Sequence, residues 1–185
     1  MVELHRQLFH IFSGLTLVFI GALIGKTAFL LFLVSLFLLA LLLSNFVVIG
    51  FENKLVSFLM HNFDRRDVLP FKGAITYLLG ALFAVSMINP FELGLTIIVV
   101  LAVGDGFSTL VGYFKGENKL PWNEKKSFEG LAAFVITSFL VLVLLVSWQQ
   151  AVFYSVLLGL VESVDWQVDD NLSIPAAAWI VYLIA

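Results

Sequence analysis

Asp105 lies late in an apolar stretch, within Leu101-Ala102-Val103-Gly104-Asp105-Gly106-Phe107-Ser108, and is the residue whose position most needs a chemical reason. An unpaired carboxylate at that depth costs roughly 2.5–3.5 kcal/mol on insertion scales, so either a Lys or Arg of the bundle or a bound cation must answer it. Glycines on both sides let backbone and ligand approach closely. Ser108 and Gly112 continue a small-residue face at i, i+4. Downstream, Lys115-Gly116-Glu117-Asn118-Lys119 and Lys125-Lys126-Ser127-Phe128-Glu129-Gly130 bring cations to a helix start that Ser127 is suited to cap. Backbone N–H groups and the positive dipole end there predict an anion site, with triphosphate the obvious anion. Glu162 and Asp169-Asp170-Asn171 add carboxylates and an amide, oxygen donors suited to Mg2+ bridging substrate phosphates. Asn171 or Ser173, followed by Pro175, also reads as a helix cap. At the N-terminus, Glu3, Arg6, His10 and Ser13 recur at steps of three and four, which puts one polar helical face into the bundle. Arg6 at this depth reads as a phosphate or carboxylate partner, and His10 alone as an interior histidine.

These residues sit in a chain of 185 that is 61% hydrophobic and 12% charged, with a mean hydropathy of +1.05. That excludes an ordinary soluble domain, and at ~20 residues per span it leaves room for about seven membrane helices and little else. The absence of cysteine excludes disulfides, thiolate nucleophiles and thiolate-held metals. A net charge of -3, with no basic run interleaved with aromatics, argues against a nucleic-acid partner. Apolar runs predict a helical hairpin over 8–24 and 28–49, then spans over 70–88, 93–111, 127–146, 151–162 and 172–185, the last only marginally long enough. Residues 51–66 are too polar to cross and are predicted as an amphipathic interfacial helix. A polar loop is expected over 113–126 and a tight turn at Trp148-Gln149-Gln150. The first run is read as a retained span rather than a cleaved leader, because polar residues penetrate it. The expected fold is an all-α integral membrane protein, a bundle of about seven transmembrane helices plus one interfacial amphipathic helix, with residues 1–185 as one domain.

Seven spans place Arg6, Lys54, Arg65, Arg66, Lys72, Lys115, Lys119, Lys125 and Lys126 on one side of the membrane, against Lys26 on the other. The positive-inside rule makes that side cytosolic, with the N-terminus inside and the C-terminus outside. The acids follow the same partition, Glu92 alone facing outward, although topology does not require this of acids. A cytosol-facing site for metal ions and phosphates accounts for both signs gathering on one face.

Taken in order, these motifs resemble the CTP-dependent lipid kinase family: dolichol kinase, phytol kinase and the CTP-dependent diacylglycerol kinases, more distantly related to the phosphatidate cytidylyltransferases. Glu3-x-x-Arg6-x-x-x-His10 matches the opening block, with Gln7 where lysine is usual. Pro70-x-Lys72-Gly73 with Tyr77 and Gly80 resembles the second. Asp105-Gly106 through Gly112, Gly116 and Lys119 to Lys126-Ser127-x-Glu129-Gly130 resembles the third, with Ser108 where alanine is common. Glu162 with Asp170-Asn171-Leu172-x-Ile174-Pro175 matches the last.

The resemblance implies transfer of a phosphoryl group from CTP to the hydroxyl of a membrane lipid alcohol, with a divalent metal such as Mg2+. It implies catalytic roles for Asp105 and Asp170, and metal binding by Asp105, Glu129, Glu162, Asp170 and Asn171. Nucleotide phosphates would be held by Arg6, Lys72, Lys119, Lys126, Ser127 and Gly130. The lipid would enter laterally from the bilayer through an apolar groove. The rival readings are a cytidylyltransferase, in which a lipid phosphate attacks the α-phosphorus, and a small transporter with Asp105 and Glu162 as a proton or cation relay. The gathering of polar residues at one face disfavours the transporter.

Overall fold

The computed structural model describes residues 2–50, 53, 54, 56, 58, 60 and 69–184. The interfacial helix expected over 51–66, with His61, Arg65 and Arg66, falls mostly outside them. Helix α1 (Val2–Val48) is two helices meeting at a kink, where Gly25 adopts φ 78°, ψ 169°, a region that glycine enters without steric cost. The arms turn back on one another. Thr16 and Leu36 line the same cavity, although a straight helix would set them about 30 Å apart. The expected hairpin is therefore present.

Helix α2 (Lys72–Met87) starts after Phe71, which holds a left-handed conformation at φ 59°. Helix α3 (Phe91–Val99), a π-helical turn (Val100–Gly104) and α4 (Asp105–Lys115) form one continuous rod of 25 residues. The loop expected over 113–126 instead carries the last turn of α4 and an antiparallel ribbon, β1 (Lys119–Leu120) with β2 (Asn123–Ser127). Helix α5 (Phe128–Leu142) ends short of the expected 146. Trp148-Gln149-Gln150 is no turn: it opens α6 (Trp148–Ser163), where Ser147 and Gln150 form a capping box that satisfies the first N–H groups. Helix α7 (Asp170–Ile184) is capped neither by Asn171 nor by Ser173. The Asp169 carboxylate accepts from the Asn171 N–H at 3.1 Å.

The helices close a ring in the order α1, α2, α7, α6, α5, α4, and α3 with the π turn fills its centre. Ile97, Ile98 and Leu101 there are fully buried against Phe134, Leu158 and Ile174. Two helices, Glu3–Val48 and Phe91–Lys115, are long and apolar enough to cross a membrane. Helices α2, α5 and α7 are shorter, about 23 Å for 15 residues against a ~30 Å hydrocarbon core. Leu15, Phe19, Leu23, Leu31, Leu38 and Leu42 are exposed along α1. The starts of α1, α2, α5 and α7 and the ends of α4 and α6 gather at one end of the bundle. At the other end Lys26 Nζ donates to Asn89 Oδ1 at 2.9 Å.

Candidate active site

Burying a carboxylate requires a partner, and three carboxylates meet at the polar end of the bundle. Oxygen atoms of Asp105, Glu162 and Asp170 lie within 4.8 Å of one another. Asp105 arrives on the first residue of α4, directly after the π turn, a distortion that re-aims the side chains beyond it and is frequent at functional sites. Glu162 comes from the last turn of α6 and is 2% exposed. Asp170 opens α7.

Strand alternation decides which lysine answers them. In β2, Lys125 turns outward and pairs with Asp165 at 2.9 Å in the open. Its neighbour Lys126 turns inward, with Nζ 2.8 Å from Glu162 Oε1 and 2.9 Å from Asp170 Oδ2, and also donates to the Glu162 carbonyl. Burial works to lower the Lys126 pKa, but the Glu162 and Asp170 carboxylates outweigh it and hold the ammonium above its ordinary value. Ser108 adds a hydrogen bond to Glu162 Oε1 at 3.0 Å. In sequence Ser108 reads only as a small residue. Its spacing of three from Asp105, which puts both on one helical face, is the available signal.

The ribbon itself is locked to α6, with Trp122 Nε1 donating to Ser163 Oγ and Asn123 Nδ2 to the Ser163 carbonyl. Opposite the cluster, His10 Nε2 stands 3.9 Å from Asp105 Oδ2, its ring edge-on to Tyr77 at 5.0 Å. Arg6 and Gln7 both donate to Glu3 Oε1, at 2.5 and 2.9 Å.

A cavity of about 1330 Å³ opens on this cluster. Arg6, Lys72, Lys119, Lys126, Ser127, Gly130 and Asn171 all line it, beside Asp105, Glu162 and Asp170. Glu129, expected among the metal ligands, lies outside the carboxylate group. Its Oε1 accepts from the backbone N–H of Asn118 at 3.3 Å and from the side-chain amide at 2.6 Å, so it latches the loop before β1 to the first turn of α5. Asn171 donates its amide to Thr76 Oγ1 at 3.2 Å.

The expected anion cradle at the start of α5 is largely filled by the chain. Ser127 Oγ accepts from Gly130 N–H at 3.1 Å, and Phe128 N–H reaches the Asn118 carbonyl at 2.9 Å. Ser127 thus caps as expected, and Gly130 lets α5 cross α4 closely, since a Cβ there would stand 3.0 Å from the Ser108 carbonyl. A tighter crossing brings in Asp170. A Cβ on Gly80 of α2 would stand 1.9 Å from the Asn171 carbonyl of α7, which Pro175, lacking an N–H, leaves without its usual helical donor. Gly80, singled out in sequence only by its place in the second block, thus sets how near α7 comes to α2.

Lys126 pairs with Glu162 and Asp170, and among the described residues Glu162 Oε2 is buried with no hydrogen-bond partner. Three carboxylates whose oxygens converge, one of them with a buried oxygen that no described residue answers, fit a divalent cation. From the acid cluster the cavity continues between α2 and the two arms of α1, past Phe12, Leu17, Ile20, Phe32, Leu36 and Leu78. One cavity thus joins the carboxylate and lysine cluster at one end of the bundle to an apolar cleft along α1 and α2.

Among known proteins, the chain is similar to the phytol kinases, which bears out the resemblance to the CTP-dependent lipid kinase family. It is 32% identical over 148 residues to the probable chloroplastic phytol kinase of Triticum aestivum, covering 70% of this chain and 49% of that protein. The probable chloroplastic phytol kinase 2 of Oryza sativa subsp. japonica is 28% identical over 200 aligned residues, 97% of this chain and 65% of its own. An uncharacterized protein of Methanocaldococcus jannaschii is 29% identical over 177 residues, covering 95% of this chain and 90% of that one. The chain spans about half the length of several of the curated relatives it matches. No family model and no solved structure matches it.

Proposed function

We propose that this chain transfers the γ-phosphoryl group of CTP to the hydroxyl of a membrane lipid alcohol, an isoprenoid alcohol such as phytol or a polyprenol, releasing CDP. The observation that carries this reading is one cavity joining a carboxylate and lysine cluster to an apolar cleft, in a chain similar to phytol kinases. Phosphoryl transfer asks a protein mainly for positioning and charge neutralisation. A divalent ion held by Asp105, Glu162 and Asp170 would neutralise the donor's phosphates. Arg6, Lys72 and Lys119 line the same space and supply the remaining positive charge, while Lys126 holds Glu162 and Asp170 in register. Asp105 and Asp170, with side chains 19% and 30% exposed, are the carboxylates accessible enough to accept the hydroxyl proton. As the lipid oxygen bonds to the γ-phosphorus, the bond from that phosphorus to the β-bridging oxygen breaks and CDP departs.

In this proposal the two arms of α1, α2, the rod from α3 to α4, and α5, α6 and α7 all cross the membrane, with the polar end cytosolic. The nine-to-one division of basic residues supports the orientation. Single cysteines at Lys26, Glu92, Glu117 and Asn171 in this cysteine-free chain test it. Impermeant reagent on intact cells should label Lys26→Cys and Glu92→Cys. Labelling of Glu117→Cys or Asn171→Cys instead would put the site in the wrong compartment. For the reaction, purified protein given Mg2+ and a panel of alcohols should form lipid phosphate from CTP and far less from ATP. No transfer from any nucleotide to any alcohol would remove the kinase reading and revive transport.

A further inference from the structure

We propose that the two arms of α1 gauge the lipid tail, with Ile20 and Phe32 as specificity-determining residues at the far end of the cleft. The inference rests on the kinase reading for the identity of the head group, and on the cavity for the rest. The cavity-facing stripe of α1 begins polar at Glu3, Arg6, His10 and Ser13 and continues along the same face as Leu17 and Ile20. A lipid alcohol has the same profile, a polar end and an apolar tail. His10 stands beside Asp105, so a hydroxyl placed at the carboxylates sets the tail running from the level of His10 toward Ile20. Ten residues of helix make that run about 15 Å.

The return arm covers it with Phe32 and Leu36. Beyond Ile20 the cleft closes. Phe29 is fully buried, and a Cβ on Gly21 would stand 3.0 Å from its ring and 2.9 Å from Leu95, so the arms touch there with no room between them. Tail carbons up to this floor gain apolar contact, and carbons beyond it must leave into the bilayer. Catalytic efficiency should therefore rise with tail length until the cleft is filled and then level off.

Two measurements on the 185-residue chain in lipid nanodiscs test this. The first compares geraniol, farnesol and phytol as substrates of wild type and Ile20→Trp. Wild type should favour farnesol and phytol over geraniol. Ile20→Trp, by filling the far end, should raise KM for the two longer alcohols about tenfold more than it raises KM for geraniol. Equal efficiency for all three alcohols in wild type, or an equal loss for all three in the variant, overturns the gauge. The second needs no turnover: a phytol analogue with a diazirine at its tail end is photolysed on the wild-type protein and the adduct mapped by mass spectrometry. Adducts at Leu17, Ile20 or Phe32 support the cleft, and adducts confined to the outward-facing Leu15, Phe19 and Leu23 overturn it. Adducts in the cleft together with no lipid phosphate would keep the tail site and discard the kinase reading, which separates the two failures.

Discussion

The polar and apolar ends of the cavity are built by opposite means. At the polar end six helix ends and a ribbon converge. Contacts there span 54 residues from Ser108 to Glu162 and 44 from Lys126 to Asp170, at 3.0 and 2.9 Å. At the apolar end one folded helix and the side of α2 enclose a cleft by packing alone. Charges in low dielectric tolerate little displacement, because each carboxylate left unpaired costs several kcal/mol. Apolar walls tolerate exchange of one side chain for another of similar volume. Changes at the polar end should therefore act on turnover, whereas changes at the apolar end should act on which alcohol is taken.

The harshest test of that division is Asp105→Asn, which keeps size and removes charge. In purified protein it should reduce transfer to background while thermal unfolding in detergent stays near wild type. Normal turnover would make Asp105 structural. Lys126→Ala should come next. It leaves Glu162 and Asp170 without their shared cation, and the CTP concentration for half-maximal rate should rise about tenfold or more, in line with truncating one member of a buried pair. An unchanged CTP requirement would show that the register Lys126 gives Glu162 and Asp170 does not position the nucleotide.

Gly80→Ala touches neither CTP nor lipid, yet it must push α7 off α2 at Asn171, beside Asp170. A loss of about 1–3 kcal/mol in stability, with a lower kcat, is expected from overpacking. Retention of both would show that the crossing is not tight. Glu129→Gln separates latch from ligand. With Glu129 bonded to Asn118, turnover should change by about twofold at most, whereas loss comparable to Asp105→Asn would return Glu129 to the metal set.

The smallest effect concerns pH. Lys126 is held above its ordinary pKa, so it is charged in both folded and unfolded chains at neutral pH. Its stabilising contribution is present below the unfolded value of about 10.4 and lost only as pH rises through the higher folded one. The stability advantage of wild type over Lys126→Ala should fall on the alkaline side only above about pH 10, and its loss on that side by about pH 9 would contradict the shift.

Asp105, Glu162, Asp170 and Lys126 are legible in the sequence because a charge among apolar residues has few reasons to be there. The hairpin at Gly25 is legible for the complementary reason, two long apolar runs with a glycine between them. The features that stay hidden depend on tertiary geometry. Asn123-Glu124-Lys125-Lys126-Ser127 has none of the β-branched or aromatic residues that mark strands, so nothing local shows that Lys126 points inward and Lys125 outward. Trp148-Gln149-Gln150 looks like a turn because its polarity masks a capping box. Glu129 looks like a ligand because its neighbours are basic, and only the fold brings Asn118 within reach. The apolar cleft leaves no motif, since Leu17, Ile20 and Phe32 read the same whether they face lipid, core or substrate.

The central claim, that the γ-phosphorus of CTP moves to a lipid hydroxyl, is tested most directly with CTP labelled at either the α or the γ position. Purified protein receives each with Mg2+ and phytol, geranylgeraniol or a polyprenol. Label should enter the lipid only from γ-labelled CTP, with CDP as the second product. Label entering from the α position with release of pyrophosphate would contradict the account and make the chain a cytidylyltransferase.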